Sequence, residues 1–253
     1  MFAKHISACR LYLRSAKILR SGYIRNFQSH QHSSMKKISI CVEGNIGAGK
    51  SEMLNFFAKD PTIEIISEAV KKWQNVNGHN MLDLMYKDPY RWGFTFQSYV
   101  QLTMLQNHMS KSAKPVQMME RSIYSAKYVF VENLYKSGLM PSVDYEVLTE
   151  WFNWATNHLD FHVDQIIYLR CHPETALERI KKRNRKEELN ITLEYLQSLH
   201  ERQEEWLIHG CYEKHAEVLV LDAEQDLESM LEVFENSRNK ILCLEEYPYH
   251  YVC

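Results

Sequence analysis

The chain has 253 residues, of which 45% are hydrophobic and 25% charged, a composition typical of a soluble globular domain. No stretch approaches the roughly 18 consecutive apolar residues that a membrane span requires, and the six cysteines lack the spacing of a metal site or a disulfide framework. We therefore expect an intracellular protein with reduced thiols and no membrane partner.

The formal net charge of −2 conceals a basic N-terminal leader. The first acidic residue is Glu43, whereas the residues before it carry eight Lys and Arg, which leaves −10 for the rest of the chain. An acid-free segment that bears Arg and Ser is typical of a mitochondrial transit peptide. We predict such a leader, or a disordered basic tail, over residues 1–34 and one folded domain over residues 35–253.

The same charge distribution bears on location and partners. A leader of this kind predicts the mitochondrial matrix, whereas translation from Met35 would give a cytosolic or nuclear form. A net acidic body argues against nucleic acid as a partner, because phosphate contacts need clustered Lys and Arg.

Apolar runs typical of strands alternate with helical patterns through the rest of the chain, which predicts a parallel sheet with crossover helices. The predicted strands are Ile38–Glu43, Ile63–Ser67, Val116–Glu120, Gln165–Arg170 and Glu217–Leu221. The predicted helices are one from the glycine-rich loop to about Ala58, then Pro89–Ser110, Ser122–Lys136, Tyr145–His158, Pro173–Arg185, Leu193–His209 and Asp226–Lys240. This order predicts an α/β fold with a doubly wound parallel sheet of about five strands, which binds ligands at the carboxyl ends of its strands.

A glycine-rich loop follows the first predicted strand and opens a helix, as the pattern G-x-x-x-x-G-K-[ST] requires. Its residues are Gly44, Asn45, Ile46, Gly47, Ala48, Gly49, Lys50 and Ser51. Backbone N–H groups and the helix N-terminus cradle phosphate oxygens in such a loop. Lys50 would place a cation against the β- and γ-phosphates, and the Ser51 hydroxyl can coordinate Mg²⁺. The loop predicts a nucleoside triphosphate, and the chain has no guanine-reading N-K-x-D segment.

Four further segments, taken with this loop, resemble the deoxyribonucleoside kinases. They are Glu68–Trp73, Phe96–Tyr99, Glu120–Ser122 and the arginine-rich run Glu178–Glu188. Within that family they are most like the segments of the mitochondrial thymidine kinases and of the broad-specificity insect enzymes. The resemblance implies a P-loop kinase fold with an arginine-rich lid. It also implies transfer of the γ-phosphoryl group of ATP, with Mg²⁺, to the 5′-hydroxyl of a deoxynucleoside in nucleotide salvage.

The resemblance assigns the catalytic roles. In the family, the residue that matches Glu68 accepts the proton of the 5′-hydroxyl, and the one that matches Arg121 holds that carboxylate. The residue that matches Glu120 helps to bind Mg²⁺. A carboxylate suits the role of general base, and Arg121 would keep it ionised. The family usually has proline after this glutamate, whereas this chain has Ala69. Without the resemblance, an ordinary ion pair at the strand ends explains the same residues.

The arginine-rich run matches the lid that closes over the triphosphate in the family. Position by position, Arg183 and Arg185 are the lid candidates, and Arg179 is a further one. Lys181 stands where the insect enzyme has arginine, which keeps the charge but loses the bidentate geometry. Without the resemblance, a solvated helix face is the usual interpretation of a charge run.

The remaining matches predict a nucleoside pocket. Tyr86 and Glu188 match the residues that bind the sugar 3′-hydroxyl, and Gln97 matches the residue that pairs with the base edge. Phe130 matches the aromatic residue that stacks on the base, with Trp73 opposite. The residues that fill in around them are Ile46 and Phe96.

Base specificity is expected at Val100, Met104 and Ala126, where some relatives carry Arg or Asp. All three residues are apolar here. They predict a pocket for a pyrimidine, thymidine or deoxycytidine, that accepts purines weakly.

Two alternatives to this function stay open at the level of sequence. A nucleoside monophosphate kinase of the thymidylate type shares the loop, the lid and the sheet, although Glu68 would repel the phosphate of its acceptor. A non-catalytic nucleotide-binding subunit is the other, although this chain keeps Lys50, Glu68 and Arg121. The family is commonly dimeric, and the aromatic stretch 145–158 is a candidate for a homodimer interface.

Overall fold

A computed structural model describes residues 37–244. Its centre is a five-stranded, all-parallel sheet in the order β2-β3-β1-β4-β5. The strands are β1 (Ile38–Gly44), β2 (Ile63–Ile66), β3 (Val116–Glu120), β4 (Gln165–Arg170) and β5 (Glu217–Asp222). The predicted α/β sheet of about five parallel strands is thus confirmed.

Helices flank this sheet. They are α1 (Lys50–Phe57), α2 (Val70–Trp73), α3 (Met81–Lys87), α4 (Pro89–His108), α5 (Ile123–Ser125), α6 (Glu132–Lys136), α7 (Ser142–His158), α8 (Pro173–Arg183), α9 (Leu193–Leu207), α10 (Leu227–Asn236) and α11 (Arg238–Ile241). Among the described residues, none of these helices is long and apolar enough to cross a membrane.

The central strands are mostly apolar because the flanking helices cover both faces of the sheet. Ile40, Cys41 and Val42 of β1 are fully buried, and so are Ile167 and Tyr168 of β4. Consecutive side chains of a strand point to opposite faces, so burial of consecutive residues shows that each face has a hydrophobic layer.

The strand register brings the predicted site residues to one edge of the sheet. Val42 of β1 pairs with Glu120 at the end of β3, and Ile66 at the end of β2 pairs with Met119 of β3. The phosphate loop therefore follows β1, Arg121 follows the neighbouring strand β3, and Glu68 follows β2, the next strand in the sheet.

Two predicted helices are interrupted, and the one predicted as Asp226–Lys240 is divided at Ser237 into α10 and α11. The segment predicted as Ser122–Lys136 consists of α5, a π-helical turn over Ala126–Val131, and α6. We call Ala126–Val131 the π turn. A π-helix closes i→i+5 hydrogen bonds, is rare, and occurs mostly at functional sites.

Other boundaries differ from the predictions for local reasons. The helix predicted to reach Arg185 ends at Arg183, because Asn184 adopts a left-handed conformation with φ of 55°. The short helices α2 and α3 were not predicted. The predicted leader, residues 1–34, lies outside the described residues.

Candidate active site

The phosphate loop packs too tightly against its surroundings for side chains at two of its glycines. Gly47 has a φ of 85°, and a Cβ there would lie 2.5 Å from the carbonyl oxygen of Ala176 and 3.1 Å from Cγ1 of Ile180. A Cβ at Gly44 would lie 2.7 Å from the carbonyl oxygen of Leu169. The glycines therefore let the loop lie directly on α8 and β4.

Polar side chains fix the loop from within. The Asn45 amide donates to the carbonyl oxygen of Leu196 at 2.9 Å and accepts from the N–H of Ile46 at 2.8 Å. The Lys50 ammonium donates to the carbonyl oxygens of Gly44 at 3.2 Å and Asn45 at 2.8 Å. Burial, together with the charge of Arg121, lowers the pKa of Lys50 to about 8. Asn45 thus holds the loop through its side chain, and Lys50 lies over it.

Ser51 and Glu120, the predicted metal ligands, are in contact. The Ser51 hydroxyl lies 3.1 Å from both carboxylate oxygens of Glu120, which is buried. A hydroxyl and a carboxylate beside a phosphate loop are hard oxygen ligands of the kind that Mg²⁺ prefers.

Glu68 and Arg121 form the predicted ion pair. Arg121 Nε lies 3.0 Å from Glu68 Oε1, and the guanidinium is almost fully buried. Burial raises the pKa of Glu68, and the positive charge of Arg121 opposes that shift. Arg121 has a φ of 64°, which is rare for a residue with a side chain, and its N–H donates to the carbonyl oxygen of Val42 at 3.0 Å. Such backbone strain persists where the surroundings hold it and is common at active sites.

A second carboxylate, Glu43, lies behind Arg121 and was not among the predicted site residues. Its Oε2 is 4.0 Å from Arg121 Nη1, and its Oε1 accepts a hydrogen bond from the Ser122 hydroxyl at 2.6 Å. Burial raises the pKa of Glu43 to about 7. Its position just before the glycine loop, as a charge inside an apolar strand, is the sequence signal that could have identified it.

A cavity of about 640 Å³ opens beside these groups, within the range of small-molecule pockets. It brings together Lys50, Glu68 and Arg121. Every residue predicted for the nucleoside pocket also lines it: Ile46, Trp73, Tyr86, Phe96, Gln97, Val100, Met104, Ala126, Phe130 and Glu188. Sequence reasoning missed Leu82 and Met85 of α3 and Tyr195 of α9, which line the same cavity.

The inner end of this cavity is rigid and mostly apolar. Trp73 and Phe96 meet edge to face with ring centroids 5.6 Å apart, and the Trp73 indole donates to Thr103 Oγ1 at 2.9 Å. Gln97 is 2% exposed, and its Oε1 has no hydrogen-bond partner among the described residues. Buried polar groups are nearly always satisfied, so this amide is a strong candidate for contact with a ligand.

Within the lid segment, residues 179–188, the Glu188 carboxylate pairs with two of the candidate arginines. Arg183 Nη2 lies 2.5 Å from Glu188 Oε2, and Arg185 Nη1 lies 2.7 Å from Glu188 Oε1. The third candidate, Arg179, donates instead to the carbonyl oxygens of Ala223 at 2.8 Å and Gln225 at 2.6 Å. Glu188, which is predicted to bind the sugar, is therefore paired with Arg183 and Arg185, which are predicted to bind the phosphates.

A second cavity, of about 500 Å³, lies on the other side of the phosphate loop. Sequence reasoning missed its walls Gln225, Asp226 and Leu227, which follow β5. Five residues line both cavities: Gly47, Lys50, Ser51, Glu120 and Arg183. The two spaces thus meet where a phosphoryl group would lie.

Comparisons with known proteins show which family the chain resembles. A family model described as deoxynucleoside kinase matches residues 40–245. The human protein named "Thymidine kinase 2, mitochondrial" is 54% identical over 211 residues, which cover 83% of this chain and 80% of that protein. The protein of the same name from Macaca fascicularis is 53% identical over the same length. Human deoxycytidine kinase is 37% identical over 235 residues, which cover 81% of this chain and 90% of that protein.

Proposed function

The chain belongs to the deoxynucleoside kinase family, and we propose that it transfers the γ-phosphoryl group of ATP to the 5′-hydroxyl of thymidine and deoxycytidine. The observation that carries this proposal is the Glu68–Arg121 pair on the wall of a nucleoside-sized cavity that ends at the phosphate loop.

The chemistry follows from the positions of the charged groups. The 5′-oxygen attacks the γ-phosphorus, the bond between that phosphorus and the β,γ-bridging oxygen breaks, and ADP leaves. Glu68 takes the proton of the 5′-hydroxyl, and Arg121 stabilises the resulting charge around the 5′-oxygen. Lys50 neutralises charge on the phosphates as they rearrange.

The preference for pyrimidines rests on the inner end of the cavity. Gln97 offers one acceptor and two donors, which can pair with the edge of thymine or cytosine. Val100, Met104 and Ala126 around it are apolar and buried. They leave no polar partner for the additional ring nitrogens of a purine, whose burial without hydrogen bonds is costly.

Ser51 and Glu120 fit Mg²⁺, which accompanies ATP in this proposal. Mg²⁺ usually binds one or two protein oxygens together with phosphate oxygens and waters. Within residues 37–244, no group of three or more His, Cys, Asp or Glu is arranged for a metal, so the pair suits a metal that arrives with its nucleotide. Bound Mg²⁺ neutralises charge on the β- and γ-phosphates.

We assign the second cavity to the donor nucleotide. It begins at the phosphate loop and ends at Gln225, Asp226 and Leu227. In this proposal the donor base lies on the side of the loop opposite the acceptor.

The test is a phosphate-transfer assay on the four deoxynucleosides and on thymidine monophosphate. We expect kcat/KM for thymidine and deoxycytidine to exceed that for deoxyguanosine at least tenfold, about 1.4 kcal/mol. Preference for deoxyguanosine would contradict the pyrimidine assignment. Transfer to thymidine monophosphate, with none to thymidine, would favour a monophosphate kinase, although the Glu68 carboxylate on the cavity wall opposes the phosphate of such an acceptor.

We also propose that the protein is a homodimer. Val143, Val147, Trp151 and Trp154 are spaced along one face of α7 and are 66%, 39%, 60% and 50% exposed. A continuous exposed apolar stripe of this kind is typical of an interface. Light scattering after size-exclusion chromatography tests this: the wild type should have the mass of a dimer and Trp151→Glu that of a monomer.

Mitochondrial location is a further proposal. It rests on the basic composition of residues 1–34 and on the word "mitochondrial" in the names of two relatives. Residues 1–34 fused to a fluorescent protein should direct it to the matrix, whereas a fusion that starts at Met35 should not. A cytosolic signal from the first fusion would refute the prediction.

A further inference from the structure

The π turn supplies two walls of the nucleoside cavity. Ala126 and Phe130, four residues apart within the turn, both line it. The Phe130 ring also supports the catalytic arginine, because Arg121 Cζ lies 4.8 Å from the ring centroid. The winding of this turn therefore determines the position of the base wall and of the face on which Arg121 rests.

A buried ion pair, Lys127–Glu132, spans the turn. The side chains of these residues are 4% and 6% exposed. An α-helix brings together side chains that are three or four residues apart. The wider π turn, closed by i→i+5 hydrogen bonds, brings residues five apart to the same side. The pair thus suits the π form of the segment and not the α form.

Tyr145 of α7 completes this cluster from outside the turn. Its hydroxyl donates to Glu132 Oε1 at 2.7 Å, and the Lys127 ammonium lies 4.1 Å from the centroid of its ring. Tyr135 of α6 stacks on that ring at 4.1 Å. Both charges therefore have partners, and removal of either charge would leave the other buried and uncompensated.

We propose that Lys127 and Glu132 are positioning residues for nucleoside binding, because their ion pair holds the turn in its π form and so places Phe130 and Ala126 against the base. Neither charged residue lines the cavity itself, so they act through the residues that do. This inference rests on the assignment of the cavity to the nucleoside.

The main experiment measures steady-state kinetics of the full chain with thymidine and ATP for Lys127→Met and Glu132→Gln. Without the ion pair, the turn can adopt ordinary α-helical winding, which moves Phe130 away from the base. We expect the KM for thymidine to rise about tenfold, the size of a lost aromatic contact. The fall in kcat should be smaller than that rise, and the KM for ATP should stay within twofold. Unchanged thymidine KM in both variants would overturn the inference.

Further variants separate positioning from folding. Lys136→Met is a matched control, because it removes a lysine from the partly exposed pair between Lys136 of α6 and Glu205 of α9, and it should leave both KM values unchanged. Lys127→Arg keeps the charge and should keep the wild-type KM. A double variant, Lys127→Met with Glu132→Leu, leaves no buried charge and should unfold near the wild-type temperature. Its thymidine KM should still be raised about tenfold, and a wild-type value would overturn the inference.

The outcomes distinguish this inference from the proposed function. If wild-type protein fails to phosphorylate thymidine, the proposed function fails. If wild-type protein is active and the double variant binds thymidine normally, only the role of the ion pair fails. If the single variants do not fold, the double variant and Tyr145→Phe decide, and Tyr145→Phe should raise the thymidine KM about twofold to threefold.

Discussion

The nucleoside cavity and the lid segment meet at the phosphate loop, yet they are built in opposite ways. The inner cavity consists of buried, uncharged side chains such as Trp73, Phe96 and Met104, and the rings of Trp73 and Phe96 meet edge to face. The lid segment presents Arg183 and Arg185, which are about a third exposed and share the single carboxylate of Glu188 as a partner. A neutral base can be recognised by a preformed shape, whereas a triphosphate needs cations that exchange one partner for another.

The largest effect is expected where the two regions join. Glu68→Gln should lower kcat by about 10³-fold, because the amide cannot accept the proton of the 5′-hydroxyl. ATP affinity, measured by calorimetry, should stay within threefold. Glu64→Gln is a matched control, since Glu64 lies on β2 and pairs with Lys114 in a half-exposed position. Full activity of Glu68→Gln would show that another group is the base.

Substitutions in the lid segment should change mainly kcat. Arg183→Ala removes a cation that lines both cavities, and we expect kcat to fall about 100-fold with little change in the KM for thymidine. Lys181→Ala on the same helix is the control, because its side chain is exposed and lines neither cavity. Equal losses in both variants would mean that only the total charge of the helix matters.

Substitutions in the nucleoside cavity should change mainly the KM for thymidine. Gln97→Leu removes a buried amide that lines the pocket and whose Oε1 has no hydrogen-bond partner among the described residues. We expect kcat/KM for thymidine to fall about 20-fold, with an unchanged KM for ATP. Gln106→Leu changes an exposed glutamine of α4 and should be neutral. A loss of ATP affinity in Gln97→Leu would contradict the separation of the two regions.

The smallest effect is expected at Glu188, which lines the nucleoside cavity and also lies in the lid segment. Glu188→Gln frees Arg183 and Arg185, whose partly exposed pairs are individually weak, and it weakens the contact to the sugar. We expect the KM for ATP to fall about threefold while the KM for thymidine rises about threefold. If both constants move in the same direction, Glu188 acts only on the fold.

The sequence allowed prediction of those features that depend on continuous patterns. The apolar runs predicted all five strands to within one residue at each end, and the glycine-rich pattern predicted the loop between β1 and α1. The resemblance supplied the pocket residues, which the cavity indeed brings together. In a parallel sheet, strand ends lie at one edge, so residues at those ends are close in space whatever separates them in the chain.

Short and irregular segments could not be predicted in the same way. Helix α2 has only four residues, too few for a helical period. Gln225, Asp226 and Leu227 lie where the chain enters α10, and no sequence pattern marks the start of this helix as a binding wall. The π turn has the composition of an ordinary helix, and the spacing of Lys127 and Glu132 became informative only once their contact was known.

The absence of a side chain at Gly47 has a mechanical consequence. Because the loop lies directly on Ala176 and Ile180, the first two turns of α8 cannot leave it without opening a gap in the core. Any hinge for the lid segment must then lie beyond Ile180, in the stretch that contains Arg183, the left-handed Asn184 and Arg185. The part of the segment that is free to move is therefore short, so Arg183 and Arg185 can shift only by small distances.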